Sequence, residues 1–206
     1  RYKMNKFEIF WNEFAEIKDE LMDIDSLNDK DADELLLNLD GILKKASAGI
    51  DFVLGDLTAD GRTLTFTANG DTDFFDDVVA LMENAPAINL WKFEGFMPPQ
   101  GKKCSIRYEN YNLKSSDLYC IPLESEEIKD KIGIILGVRE KIEDDDFTAA
   151  CYLLVEKMIG EYYAAELIDY FEIQTLPKNI EDSDFIPLDN LPDFVSWKVE
   201  MLKNGK

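Results

Sequence analysis

Apolar positions near the start of the chain recur every three or four residues. Phe7, Phe10, Phe14, Ile17 and Leu21 fall on one stripe, and Trp11 widens it. That period marks an amphipathic helix and predicts one from about Asn5 to Asp23. Ser26 to Asp29 reads as a turn. Leu35, Leu36, Leu39, Ile42, Leu43 and Ala46 then form a second stripe. Asn28 or Asp29 can cap this second helix, and the acids at 29, 31, 33 and 34 complement its dipole. So short a connection folds the two helices into an antiparallel hairpin over residues 1–48.

The period changes to two after Gly49. Ile50 to Leu57 and Arg62 to Ala68 read as strands, with Leu64, Phe66 and Ala68 alternating with Thr63, Thr65 and Thr67. Between them, Thr58-Ala59-Asp60-Gly61 carries an Asp-Gly turn signal. Asn69-Gly70-Asp71-Thr72 breaks the strand and caps a third helix. Its stripe is Phe74, Phe75, Val78, Leu81, Met82 and Ala85, and Pro86 marks its end. Further strands are expected at Ile88 to Met97, closed by Pro98-Pro99, at Lys103 to Glu109 and at Leu118 to Leu123. A polar loop, Asn110 to Asp117, joins the last two. Ile132, Ile134, Leu136 and Val138 share one face of another strand. Its other face holds Ile135 with Gly133 and Gly137, which implies close packing on both sides. A fourth helix begins at Asp144-Asp145-Asp146, buries Phe147, Ala150, Cys151, Leu154, Val155 and Met158, and stops at Gly160. Leu167 to Thr175 reads as a last strand. Asn179 to Asp184 is a loop, and Asp189 to Leu202 is a terminal helix with Pro192 in its first turn.

From residue 50 onward the order is β-β-α-β-β-β-β-α-β. Helices flanking a run of strands predict the α+β class: a largely antiparallel sheet with helices packed on one face, preceded by the helical hairpin. The expected organisation is a hairpin over 1–48, packed on an α+β domain over 49–206 that ends in the terminal helix. No internal repeat and no low-complexity segment is visible.

Charge narrows the function classes. The 206 residues carry 43 acidic and 22 basic side chains, a formal net charge of −21, and no histidine. Without histidine there is no Ser-His-Asp or Cys-His pair and no imidazole ligand. The acidic field has the wrong sign for phosphate backbones and anionic lipid, and the right sign for a basic protein. No metal, cofactor, nucleic acid or membrane is therefore expected. No apolar run approaches the roughly 20 residues that span a bilayer. Phe7 to Leu21 is amphipathic, so the opening segment does not read as a signal peptide. Cys104, Cys120 and Cys151 are an odd number without a C-x-x-C, which points to reduced thiols and a cytoplasmic protein. The stretch 101–139 is the one interruption in the acidity, with seven basic and six acidic side chains, net +1.

A set of positions also resembles a known pattern. Thr67-Ala68-Asn69-Gly70, Phe75, Val78, Leu81, Ala85-Pro86, Trp91, Phe96 and Pro98-Pro99, with a later echo in Leu188, Leu191-Pro192 and Trp197, is similar to a group of uncharacterised bacterial proteins. These read A-x-G, F-x-x-V-x-x-L-x-x-x-A-P, W, F-x-P-P. The resemblance implies a shared β-α-β core. Its residues are turn formers and core apolars, so it implies no catalytic assignment.

Chemistry-bearing clusters are few. Asp71, Asp73, Asp76 and Asp77, and Glu143 to Asp146, could ligate a divalent cation, but each cluster opens a helix and reads first as capping. Neither G-x-x-x-x-G-K-[ST] nor G-x-G-x-x-G occurs. Cys151 lies on an apolar stripe and reads as buried and inert. Cys104 and Cys120 lie on neighbouring strand candidates and could face each other. The cluster that stands out is Arg107, Tyr108, Tyr111, Lys114 and Tyr119, because tyrosine and arginine are enriched at binding hot spots and these lie in the least acidic stretch. The leading expectation is a non-enzymatic, immunity- or inhibitor-like module that binds a basic protein through those residues. The alternative is a small-molecule binder or carboxylate-dependent enzyme with a pocket between sheet and helices.

Overall fold

The computed structural model describes residues 3–205. The chain forms two compact units, one ending at Met97 and the other beginning at Pro98. The expected segments 1–48 and 49–206 therefore do not coincide with the compact units. The helical hairpin shares its core with the strands that follow it.

In the first unit, α1 (Lys6–Met22) and α2 (Asp29–Ala46) form the antiparallel hairpin. Asn5 starts α1 with a capping box: its side chain accepts from the N–H groups of Phe7 and Glu8, and Glu8 bonds back to the Asn5 N–H at 2.7 Å. Asn28 caps α2 by accepting from Asp31 N–H. β1 (Asp51–Leu54) pairs antiparallel with β2 (Arg62–Thr67) across the Thr58–Gly61 turn. A crossover through α3 (Phe75–Glu83) then lays β3 (Trp91–Gly95) parallel to β2. The core is aromatic. Trp11 stands 4.5 Å from Phe93 and 5.6 Å from Phe66 between ring centroids, and Phe14 stands 5.2 Å from Trp91. The Trp11 indole donates to the carbonyl of Leu81 at 2.8 Å and so ties α1 to α3. Arg62 is buried, and its guanidinium donates to the carbonyls of Gly55 (2.8 Å) and Met22 (2.9 Å) and to Asp25 (2.5 Å). It thereby satisfies a carbonyl at the C-terminal end of α1 that the helix leaves open.

The second unit opens with a two-stranded ribbon, β4 (Ser105–Tyr108) and β5 (Tyr111–Lys114). Its main sheet has the order β8-β7-β6-β9, from β6 (Tyr119–Glu124), β7 (Ile132–Val138), β8 (Ile168–Thr175) and β9 (Ile186–Pro187). β6 is antiparallel to β7 and β9, whereas β7 and β8 are parallel. The crossover between them is α4 (Asp145–Ile159) and α5 (Glu161–Leu167), and the chain closes on α6 (Leu191–Asn204). One core joins Cys120, Ile134, Leu136 and Ile173 of the sheet to Cys151, Leu154 and Met158 of α4 and to Leu191 and Val195 of α6.

The α+β class and the N-terminal helical pair are as expected. The strands, however, divide over three sheets, two of them mixed, where one largely antiparallel sheet was expected. Helical crossovers create the two parallel pairings, and pairing partners are not written in local periodicity. The expected polar loop 110–117 contains β5. Its Tyr-Asn-Leu-Lys alternation is only four residues long, and Glu109 turns the chain at φ +48 without an Asn-Gly signal. α5 and the two-residue β9 also lie outside the expected elements. A topology recurs where no sequence repeat was visible: β1-β2-α3-β3 and β6-β7-α4-α5-β8 both run antiparallel pair, helical crossover, parallel third strand.

Two glycines make opposite predictions. A Cβ on Gly137 would fall 2.5 Å from Leu176 and 2.7 Å from Phe185, so Gly137→Ala is expected to destabilise by about 1–3 kcal/mol. A Cβ on Gly41, inside α2, meets nothing within 4 Å, so Gly41→Ala is expected to stabilise by about 0.5–1 kcal/mol. Urea unfolding of both variants checks the two signs.

Candidate interaction surface

The expected site residues do not converge. On the β4–β5 ribbon, Ser105 pairs with Lys114 and Arg107 with Asn112, and these four are exposed. Ile106 with Leu113, and Tyr108 with Tyr111, occupy the opposite face. That face turns toward α4: the Tyr111 ring lies 5.2 Å from the Phe147 ring, and Ile106, Tyr111 and Leu113 pack on the core. Tyr119 belongs to the other sheet, opposite Gly137 and Pro187, and is half-buried. Arg107 and Lys114 thus share an exposed strip, while Tyr108 and Tyr111 lie on the inner face.

In each acidic cluster one side chain acts as a cap, and Asp77 pairs with the Lys6 ammonium at 3.0 Å. Asp71 accepts from Asp73 N–H at 3.1 Å, and Asp144 accepts from Asp146 N–H at 2.7 Å. Tyr111 donates its hydroxyl to Asp144 at 2.8 Å. That bond, helped by the Asp146 N–H, holds the Asp144 carboxyl below its usual range, and it raises the Tyr111 phenol in turn. Among the described residues, no group of three or more His, Cys, Asp or Glu side chains is placed to hold a metal ion. No helix among them is long and apolar enough to cross a membrane. All three cysteines are buried free thiols, and burial pushes Cys120 and Cys151 up to about 12.

A different surface brings large apolar side chains to solvent. On α6, Leu191, Val195 and Lys198 are buried. At about 100° per residue, Trp197 and Met201 fall roughly a quarter to a third of a turn off that stripe. They are exposed by 45% and 54%. Next to them the segment 125–131 connects β6 to β7. Leu123 near the end of β6, Ile128 in that connection and Tyr170 on β8 are also exposed, between 36% and 49%. Two adjoining depressions share Glu124 and Ser125. One of about 650 Å³ is lined by Trp197, Lys198, Met201 and Lys129. The other, of about 220 Å³, is lined by Leu123, Ile128, Asp169 and Tyr170.

Polar bonds fix this surface from behind. The buried Lys198 ammonium donates to Glu124 at 2.6 Å, joining α6 to the end of β6. Lys131 donates to the Glu166 carbonyl at 2.5 Å, joining the loop to α5. Phe194 lies 5.5 Å from Trp197 and supports its ring. The opposite flank of α6 bounds a groove of about 450 Å³ whose walls include Met158, Ile159, Tyr163, Val195 and Val199. That groove lies among helices and not between sheet and helices. Sequence reasoning missed the Trp197 surface because Trp197 was absorbed into the resemblance motif. Helical phase carried the signal: an apolar pair at i and i+4 off the buried stripe.

No protein-family model, curated protein or solved structure matches the chain.

Two outcomes test this description. Burial first, then the negative charge of buried Glu161, raises the half-buried Glu156 carboxyl above its usual range. The folded state therefore holds the proton more tightly than the unfolded chain. The associated stability is complete below the unfolded pKa and is lost as pH rises through the folded one. Glu156→Gln is expected to raise Tm at neutral pH, and to match the parent protein below about pH 4. Thermal melts across pH distinguish this from a uniform shift. In the folded protein Cys120 and Cys151 are expected to alkylate far more slowly than in urea, since little thiolate forms at neutral pH. Rapid labelling of Cys151 would contradict its place in the core.

Proposed function

We propose that the protein is a non-enzymatic module that binds a basic protein, in the manner of an immunity or inhibitor protein, and acts in the cytoplasm. The observation that carries this reading is the exposed Trp197–Met201 pair, grouped with Leu123, Ile128 and Tyr170 around two shallow depressions. Tryptophan, tyrosine and methionine are enriched at interface centres, where large rigid side chains bury much area at small entropic cost. Glu124, Glu126 and Asp169 line the depressions together with Lys129, Lys131 and Lys198, so the attraction for a basic partner comes from the chain as a whole, which carries −21. A basic partner is drawn in by the long-range field and held by the apolar centre. Arg107 and Lys114 lie apart from the centre on the β4–β5 strip, and Tyr111 serves the core. The Thr67–Pro99 resemblance to uncharacterised bacterial proteins adds no activity to this reading.

The test is kinetic, on a partner captured with the full chain and identified. Trp197→Ala is expected to speed dissociation by about 2 kcal/mol, roughly thirty-fold, with association little changed. Neutralising Asp144, Asp145 and Asp146 together is expected to slow association and flatten its salt dependence, with dissociation unchanged. Unaltered dissociation in both Trp197→Ala and Met201→Ala would overturn the assignment of this surface.

A further inference from the structure

β8 combines length with an open edge. Its eight residues make it the longest strand among the described residues, and it is the outermost strand of its sheet; a register shift skips Asp169, and Tyr170 to Thr175 then pair regularly with β7. Among the described residues, no strand or loop hydrogen-bonds to its outer side. In a parallel edge strand, alternate residues direct N–H and C=O groups away from the neighbouring strand, so half of the backbone groups from Tyr170 to Thr175 offer a pairing template. Other edges are shorter. β9 has two residues, one of them Pro187, β1 has four, and β3 has five with Lys92 among them. The sequence of β8, Ile-Asp-Tyr-Phe-Glu-Ile-Gln-Thr, contains no proline, glycine, lysine or arginine.

The charges on β8 select the occupant. Asp169 and Glu172 are its only ionisable acids, and nothing basic accompanies them on the strand. Hydrogen bonds from Tyr170 and from Gln174, with a smaller contribution from the charge of Lys141, hold the Glu172 carboxyl below its usual range, so it is ionised at neutral pH. A second β8 paired against the first would bring like charges together, which disfavours self-pairing. An incoming strand with lysine or arginine meets opposite charge instead. Alternation fixes the rest of the pattern: Tyr170, Glu172 and Gln174 share one face, and Phe171 and Ile173 share the core face. Tyr170 and Asp169 also line the depression beside Leu123 and Ile128, which adjoins the Trp197 depression through Glu124 and Ser125.

We propose that the outer edge of β8 takes up an extended segment of the basic partner by strand addition, with lysine or arginine beside Glu172 and an aliphatic residue beside Phe171 and Ile173. The backbone bonds supply affinity, and the alternating side chains supply register. This inference rests on the protein-binding reading above, yet it is testable without the natural partner.

The probe is a blocked hexapeptide alternating lysine and valine, added to the isotope-labelled full chain at low salt. Saturable shifts at residues 168–175, with slowed exchange at alternate β8 amides, are expected. A peptide of the same composition in two blocks, three lysines then three valines, is expected to bind at least about tenfold more weakly, as is the alternating peptide to Glu172→Lys. The inference is overturned if β8 amides gain no protection, or if the block peptide binds equally well. Protection at β8 in the Trp197→Ala variant supports the edge independently of the docking surface. Loss of the natural partner on Trp197→Ala without any protection at β8 overturns the edge and leaves the docking surface standing.

Discussion

The ion pair between Lys198 and Glu124 sets the rotation of α6, and with it most of what the second unit shows to solvent. A lysine on the buried stripe of a helix is unfavourable unless its ammonium finds an anion. Leaving it unpaired would cost on the order of a few kcal/mol. Glu124 meets that requirement from the end of β6 at 2.6 Å. With Lys198 held inward beside Leu191 and Val195, the helix has one orientation left, and Trp197 and Met201 point out. The same bond anchors the end of β6, where the 125–131 connection begins. One buried charge thus positions both walls of the larger depression.

Acidity works at two ranges in this molecule. Locally, side chains at helix starts satisfy N–H groups that the helices leave open, as Asn5, Asn28, Asp71 and Asp144 do. Two of these caps are neutral asparagines; the two aspartates direct an oxygen to backbone N–H groups and keep their charge, and among the described residues no acidic cluster is placed to hold a metal ion. At long range, all the charges, the capping aspartates included, sum to a field that no single residue owns. The first role is a property of secondary structure, and only the second bears on what the protein meets.

Long apolar stripes were legible, and short or nonlocal features were not. The stripe from Phe7 to Leu21 located α1, and the stripe from Phe147 to Met158 located α4, because a dozen or more residues repeat one period. Gly133 and Gly137 correctly announced close packing, since Leu123, Tyr170, Leu176 and Phe185 crowd them. β5 and α5 escaped because four and seven residues hold too little periodicity against the polar background. The division into three sheets escaped because strand partners lie far apart in sequence. Tyr111 misled for another reason. Its residue type suits an interface, but the alternation of the ribbon turns it onto Phe147, and type without phase does not say which side of a strand faces water.

The recurrence of an antiparallel pair followed by a parallel third strand has a consequence for how the chain reaches its fold. Each of these motifs draws on one continuous stretch, so the aromatic cluster around Trp11 uses no residue beyond Phe93. The adjacent hairpin strands close a short loop and pair early, whereas the third strand waits for the crossover helix to form and dock. During synthesis the first motif can therefore assemble while the second is still being made. In the second motif the late-arriving strand is β8, and until it docks, β7 stands as a fully apolar strand with an unpaired side. Chaperone dependence of the nascent chain should peak in that interval, between emergence of Val138 and of Thr175.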